Sequence, residues 1–102
     1  TMEILKPYRA RIDEIDDKIV DLMVARTEII REVGELKFRK NIPAVLPDRG
    51  KEVIDRTASR AGDKDLDPTL VRKIYTLLVD YSCVLENEIM TALAAPKEAV
   101  GK

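Results

Sequence analysis

The sequence predicts an all-α chain of three helices: long, short and long. Apolar residues return every three or four positions over most of the 102 residues. The 4 Gly and 5 Pro fall mainly where that rhythm breaks, and helix-start signals stand at the breaks.

The first helix is expected from Pro7 to Lys40. Its stripe is Tyr8, Ile12, Ile15, Ile19, Leu22, Ile29, Val33 and Leu36. Pro7 suits a first helical turn, where its missing N–H costs nothing. Asn41 and Pro43 end the run. Such a helix spans ~50 Å. Asn41-Ile-Pro-Ala-Val-Leu-Pro47 is a two-proline connector. A short helix follows, about 48–61, with Val53, Ile54, Thr57 and Ala58 inward and Gly62 as its C-cap. Asp67-Pro68 is an N-cap with proline at the first helical position. The last helix runs to about Leu93 on the stripe Val71, Ile74, Leu78, Tyr81, Leu85, Ile89 and Ala92. The organisation expected is an extension at 1–6, one helical domain at 7–93 and a fraying tail at 94–102.

The two remaining helices of the same chain cannot alone cover a ~50 Å helix in a domain of this size. A homodimer with paired long helices is the simplest remedy. The alternative is an antiparallel hairpin that dimerises as a coiled coil.

Composition excludes several chemistries. There is no His, so histidine triads and His-based acid–base catalysis are absent. One cysteine, Cys83, allows no intrachain disulfide and no CxxC knuckle. No metal and no cofactor are expected, and the location expected is cytoplasmic. A net charge of −1 supplies no general attraction to nucleic acid. The basic cluster Lys37, Arg39 and Lys40, with Phe38 its one aromatic, is too short to bind it. No apolar run reaches the ~20 residues of a membrane span.

Some charges stand where the pattern asks for apolar groups. Arg26 occupies the stripe between Leu22 and Ile29. An unpaired buried guanidinium is costly, so it needs an anion: a protein carboxylate that sets register, or a ligand in a cavity. Lys37 lies eleven residues on, nearly on the same face. Its simpler role is a cation at a helix C-terminus. Arg9 lies ~25 Å from Arg26 along the axis and reaches one site with it only from a second subunit. Arg49 follows the connector. Ser82 and Glu86 share one face of the last helix at i, i+4. This inventory binds a small dicarboxylate and stabilises developing negative charge. It lacks an activated nucleophile.

These residues resemble one family, the all-helical chorismate mutases, from about Tyr8 to Leu93. The resemblance rests on Arg9-x-x-Ile-Asp-x-Ile-Asp16, Ala25-Arg26, Val33-Gly34-x-x-Lys37, Asp48-Arg49, Leu66-Asp67 and Ser82-x-x-x-Glu86. It implies the type II fold, an intertwined homodimer, and rearrangement of chorismate to prephenate. It implies that Arg9 crosses from the partner, and that Arg26 and Arg49 hold carboxylates. Lys37 and Glu86 then contact the ether oxygen, Ser82 lies near a carboxylate, and Val33, Val53 and Val79 form apolar walls. Glu86 must be protonated to donate there. Two positions depart from the family's pattern. Gly50 stands where an acid often follows the arginine, and Leu46 where another precedes it. Gly50 and the Ile-Pro-Ala connector also resemble the isochorismate–pyruvate lyases, which usually carry Gln at the position of Glu86. The 4-amino-4-deoxychorismate mutases are a further resemblance. A non-enzymatic helical dimerisation module is the alternative from another class.

Overall fold

The computed structural model describes residues 2–96, with Met2 described through its backbone only. The described residues form three helices: α1 (Met2–Lys40), α2 (Pro47–Asp63) and α3 (Pro68–Ala94). The order long, short, long is the expected one. Residues 97–102 of the expected tail, and Thr1, lie outside the described residues.

Helix α1 begins five residues earlier than Pro7. Pro7 forgoes a bond to the Glu3 carbonyl, a loss confined to the first turns. At the other end, Asn41 adopts a left-handed conformation (φ 58°). Its N–H donates to the Phe38 carbonyl at 3.4 Å, and the Ile42 N–H to the Lys37 carbonyl at 2.9 Å. This is a Schellman cap.

Helix α2 starts with Pro47 in its first turn and carries no side-chain cap at Leu46. Gly62 is not its cap: the helix continues to Asp63, and the left-handed residue is Asp65 (φ 60°). The Leu66 and Asp65 N–H groups close a second Schellman pattern onto Ala61 and Gly62. A short polar side chain that can bond locally lets Asp65 take the conformation usually left to glycine. Helix α3 starts as expected, with the Asp67 carboxylate accepting from the Thr69 N–H at 2.9 Å.

Helix α3 is the centre of the fold and packs against both α1 and α2. Arg26 reaches Leu78 and Ser82, whereas Gly34 faces Glu86 and Ile89. Helices α1 and α3 therefore run parallel. Gly50 faces Val79 and Asp55 meets Arg72, so α2 runs antiparallel to α3. An antiparallel α1–α3 hairpin is thus excluded.

The covered face of α3 differs from the expected stripe. Val71, Ser82, Leu85 and Glu86 are buried, while Ile74 and Tyr81 are about half exposed. Gly34 lets α1 approach closely here: a Cβ on it would lie 3.4 Å from Glu86 Cα. The close crossing turns the polar residues of α3 inward.

The buried apolar set is small: Ala44, Val53, Ala58, Ala61, Val71 and Leu85. Residues 3–25 of α1 are all exposed, with Leu22 at 70%. The radius of gyration is 18.7 Å, well above the ~13 Å of a compact chain of this length.

Candidate functional site

The covered part of α1 starts at Arg26. From there α1 meets α3, and the connector folds back to bring the start of α2 against α3. A cavity of about 760 Å³ lies between the three helices. Its walls hold Arg26, Val33 and Lys37 from α1, Arg49 and Val53 from α2, and Val79, Ser82 and Glu86 from α3. Eight of the nine expected site residues are thus together. Arg9, far along α1, is not among those lining the cavity.

Arg26 donates from Nη1 to Ser82 Oγ at 2.6 Å and to the Leu78 carbonyl at 3.5 Å. The Ser82 hydroxyl in turn donates to the Leu78 carbonyl at 2.8 Å. Both acceptors are neutral, and among the described residues no carboxylate pairs with the guanidinium. Such a charge is retained at low cost only where a further anion or solvent answers it.

Lys37 Nζ donates to the Ala44 carbonyl at 3.0 Å and stands 2.6 Å from Glu86 Oε1. Their side chains are 13% and 6% exposed. Glu86 is therefore not a solvated helix glutamate, and Lys37 is more than a cation at a helix end. Glu86 Oε1 is buried against this ammonium, so the two charges answer each other in the cavity wall.

Arg49 lies at the exposed rim, paired with Glu52 one turn on. Exposed pairs of this kind contribute about 0–1 kcal/mol, so Arg49 can exchange its partner for a ligand carboxylate. Across the rim, Asp55 accepts from Lys51 at 2.7 Å and from Arg72 at 2.9 Å. These two bonds hold the Asp55 carboxyl below its ordinary value. Cys83 also lines the cavity; burial first, then the Glu86 charge, pushes its thiol up against the opposing pull of Lys37. Five cationic and three anionic side chains line the cavity in all: Arg26, Lys37, Arg49, Lys51 and Arg72 against Asp55, Asp80 and Glu86. The excess positive charge suits a dianion.

Sequence reasoning did not single out Lys51, Asp55 and Arg72. The i, i+4 spacing of Lys51 and Asp55 was a usable signal. Arg72 is 17 residues from Asp55, and no local pattern marks it. Gly50 lies at a close contact of α2 and α3. A Cβ there would come within 3.1 Å of Val79 Cγ1, and the Val79 side chain would have to yield by a few tenths of an ångström.

The sequence model of the family described as chorismate mutase type II matches residues 8–87. A chorismate mutase of Methanocaldococcus jannaschii is 30% identical over 89 residues, covering 87% of this chain and 90% of that protein. A 4-amino-4-deoxychorismate mutase of Streptomyces pristinaespiralis is 32% identical over 92 residues, covering 90% of this chain and 71% of that protein. A bifunctional chorismate mutase/prephenate dehydratase of Aquifex aeolicus is 31% identical over 100 residues, 94% of this chain but 27% of that protein.

Proposed function

This chain belongs to the chorismate mutase type II family, and on that premise we propose that it isomerises chorismate to prephenate, a step of aromatic amino-acid biosynthesis. One observation carries the reading. Arg26 lines a cavity with Lys37 and Glu86, and its own hydrogen bonds go to neutral oxygens. A dicarboxylate supplies the missing anion.

The reaction is a pericyclic rearrangement in which a C–O bond breaks as a C–C bond forms. The protein need only select the folded conformer and stabilise charge on the departing oxygen. In this reading Arg26 and Arg49 take the substrate carboxylates, and Ser82 orients Arg26. Lys37 and a protonated Glu86 donate to the ether oxygen. Val33, Val53 and Val79 pack the ring. No covalent intermediate is needed.

The reading includes an intertwined homodimer with Arg9 of each subunit entering the other's site. Its support is the bare apolar face of α1: Tyr8, Ile12, Ile15, Ile19 and Leu22 are exposed along one stripe. A stripe that long is stable in water only when covered. The cytoplasmic location belongs to the same reading and is compatible with the free thiol of Cys83. Among the described residues no helix is long and apolar enough to cross a membrane.

A second reading, 4-amino-4-deoxychorismate mutase, is favoured by two relatives of that name. The apolar wall of Leu46, Gly50 and Val79 also leaves the ring substituent unspecified. The purified protein offered chorismate, 4-amino-4-deoxychorismate and isochorismate separates these readings. Prephenate formation with the highest kcat/KM on chorismate is expected. Preference for the amino substrate supports the second reading. Pyruvate release from isochorismate as the main activity overturns both.

A further inference from the structure

We propose that the connector between α1 and α2, residues 41–46, is a positioning device for Lys37, and that Asn41 is the residue that sets it. The proposal rests on the reading of Lys37 as a donor to the substrate.

The connector touches one lysine twice. The Ile42 N–H donates to the Lys37 backbone carbonyl at 2.9 Å, and the Ala44 carbonyl accepts from Lys37 Nζ at 3.0 Å. Both contacts depend on the reversal at Asn41, whose φ of 58° a β-branched residue adopts only under strain. Beyond the reversal the path has little freedom. Pro43 fixes its own φ and biases Ile42 to extended backbone. Leu46 is extended before Pro47. Between these points Ala44 is buried, 5% exposed, so its carbonyl cannot drift.

A lysine side chain is flexible, and an ammonium on four rotatable bonds is a poor fixed donor. Glu86 alone does not solve this. It serves the substrate too, so its contact with Lys37 is surrendered when both turn to the same oxygen. The Ala44 carbonyl is not surrendered. It holds Nζ in place before the substrate arrives, which is where preorganisation acts on the rate.

The test compares Asn41→Gly, Asn41→Val, Lys37→Ala and the double variant Lys37→Ala/Asn41→Val by steady-state kinetics on chorismate. Asn41→Gly keeps the left-handed turn, and its kcat is expected near that of the parent. Asn41→Val is expected to lose about tenfold or more in kcat with KM within about twofold, the signature of an interaction made in the transition state. In the Lys37→Ala background the valine is expected to add no further loss, because its target is gone. Asn41→Val at parental kcat, or an equal loss in both backgrounds, overturns the proposal. Parental kcat in Lys37→Ala overturns the reading of the site itself, and the proposal with it. Should Asn41→Val fail to fold, replacing the Ala44–Val45 amide by an ester weakens the Ala44 carbonyl as acceptor without changing a side chain. That variant is expected to lose kcat several-fold with an unchanged circular dichroism spectrum. Parental kcat in the ester overturns the proposal.

Discussion

Arg26 breaks an apolar stripe, and its neighbours Ser82 and Leu78 answer it only with neutral oxygens. That leaves charge for a ligand, which a structural arginine paired to a carboxylate does not. Glu86 is the opposite case, an acid buried to 4% exposure with its Oε1 2.6 Å from the Lys37 ammonium. To donate to an ether oxygen it must hold a proton. We expect Glu86→Gln to keep kcat within about threefold of the parent and Glu86→Ala to lose about tenfold or more, because the amide still donates to that oxygen and the methyl group does not. Steady-state kinetics on chorismate check this, and parental kcat in Glu86→Ala removes Glu86 from the role. Cys83, with its thiol pushed up, stays neutral beside them.

Helix α2 is held to α3 by a close contact at Gly50 and Val79 and by an ion pair between Asp55 and Arg72. Its first turns carry Arg49 and Val53, so its seat on α3 shapes the mouth of the cavity. Lys51 and Arg72 keep the Asp55 carboxyl below its ordinary 3.8. A carboxyl depressed on folding stabilises the fold above its unfolded value, and the contribution fades as pH falls through the folded one. Melting curves of the parent and Asp55→Asn are therefore expected to differ at neutral pH, to begin drawing together only below about pH 4, and to meet once the pH lies under the depressed folded value. A gap that persists in acid assigns the effect to something other than this carboxylate. Gly50→Ala tests the other tie. Its Cβ falls 3.1 Å from Val79 Cγ1, so the side chain must yield by a few tenths of an ångström. Alanine also gains about 1 kcal/mol of helix propensity at this position, so we expect the two effects to offset and stability in chemical denaturation to change by less than about 1 kcal/mol.

A chain 64 Å long and 15 Å thick, with 23 successive exposed residues at 3–25 of α1, does not resemble a finished globule. The proposed second copy covers that face and brings in Arg9. Sedimentation equilibrium is expected to give a dimer, and a monomer at micromolar concentration ends the dimer reading. Mixing refolded Arg9→Ala and Lys37→Ala chains tests the shared site directly. Each mixed dimer contains one complete site if Arg9 crosses between subunits. About a quarter of the parental activity is then expected from random pairing. No recovery above the two separate variants places Arg9 outside the partner's site.

Helix content and order were legible from local signals. The three-and-four spacing, Pro68 after Asp67, and the prolines around the connector act over a few residues, and the structure keeps them. Eight of the cavity residues were legible too, because Arg26 violates a stripe and the family motifs recur in order, whereas Lys51, Asp55 and Arg72 were not. Other features depended on contacts distant in sequence. The turning of α3 that buries Ser82 and Glu86 follows from a close crossing at Gly34, a contact 52 residues away that no periodicity in α3 encodes. The cap at Asp65 rather than Gly62 depends on where α3 must start. The Ala44 carbonyl carries no side-chain signal at all, so its grip on Lys37 exists only once the connector folds back. Sequence determines what sits within a turn or two of each residue, because those interactions are short in range. The tertiary structure decides which face of each helix is inside, because that is settled by the packing of helices on one another.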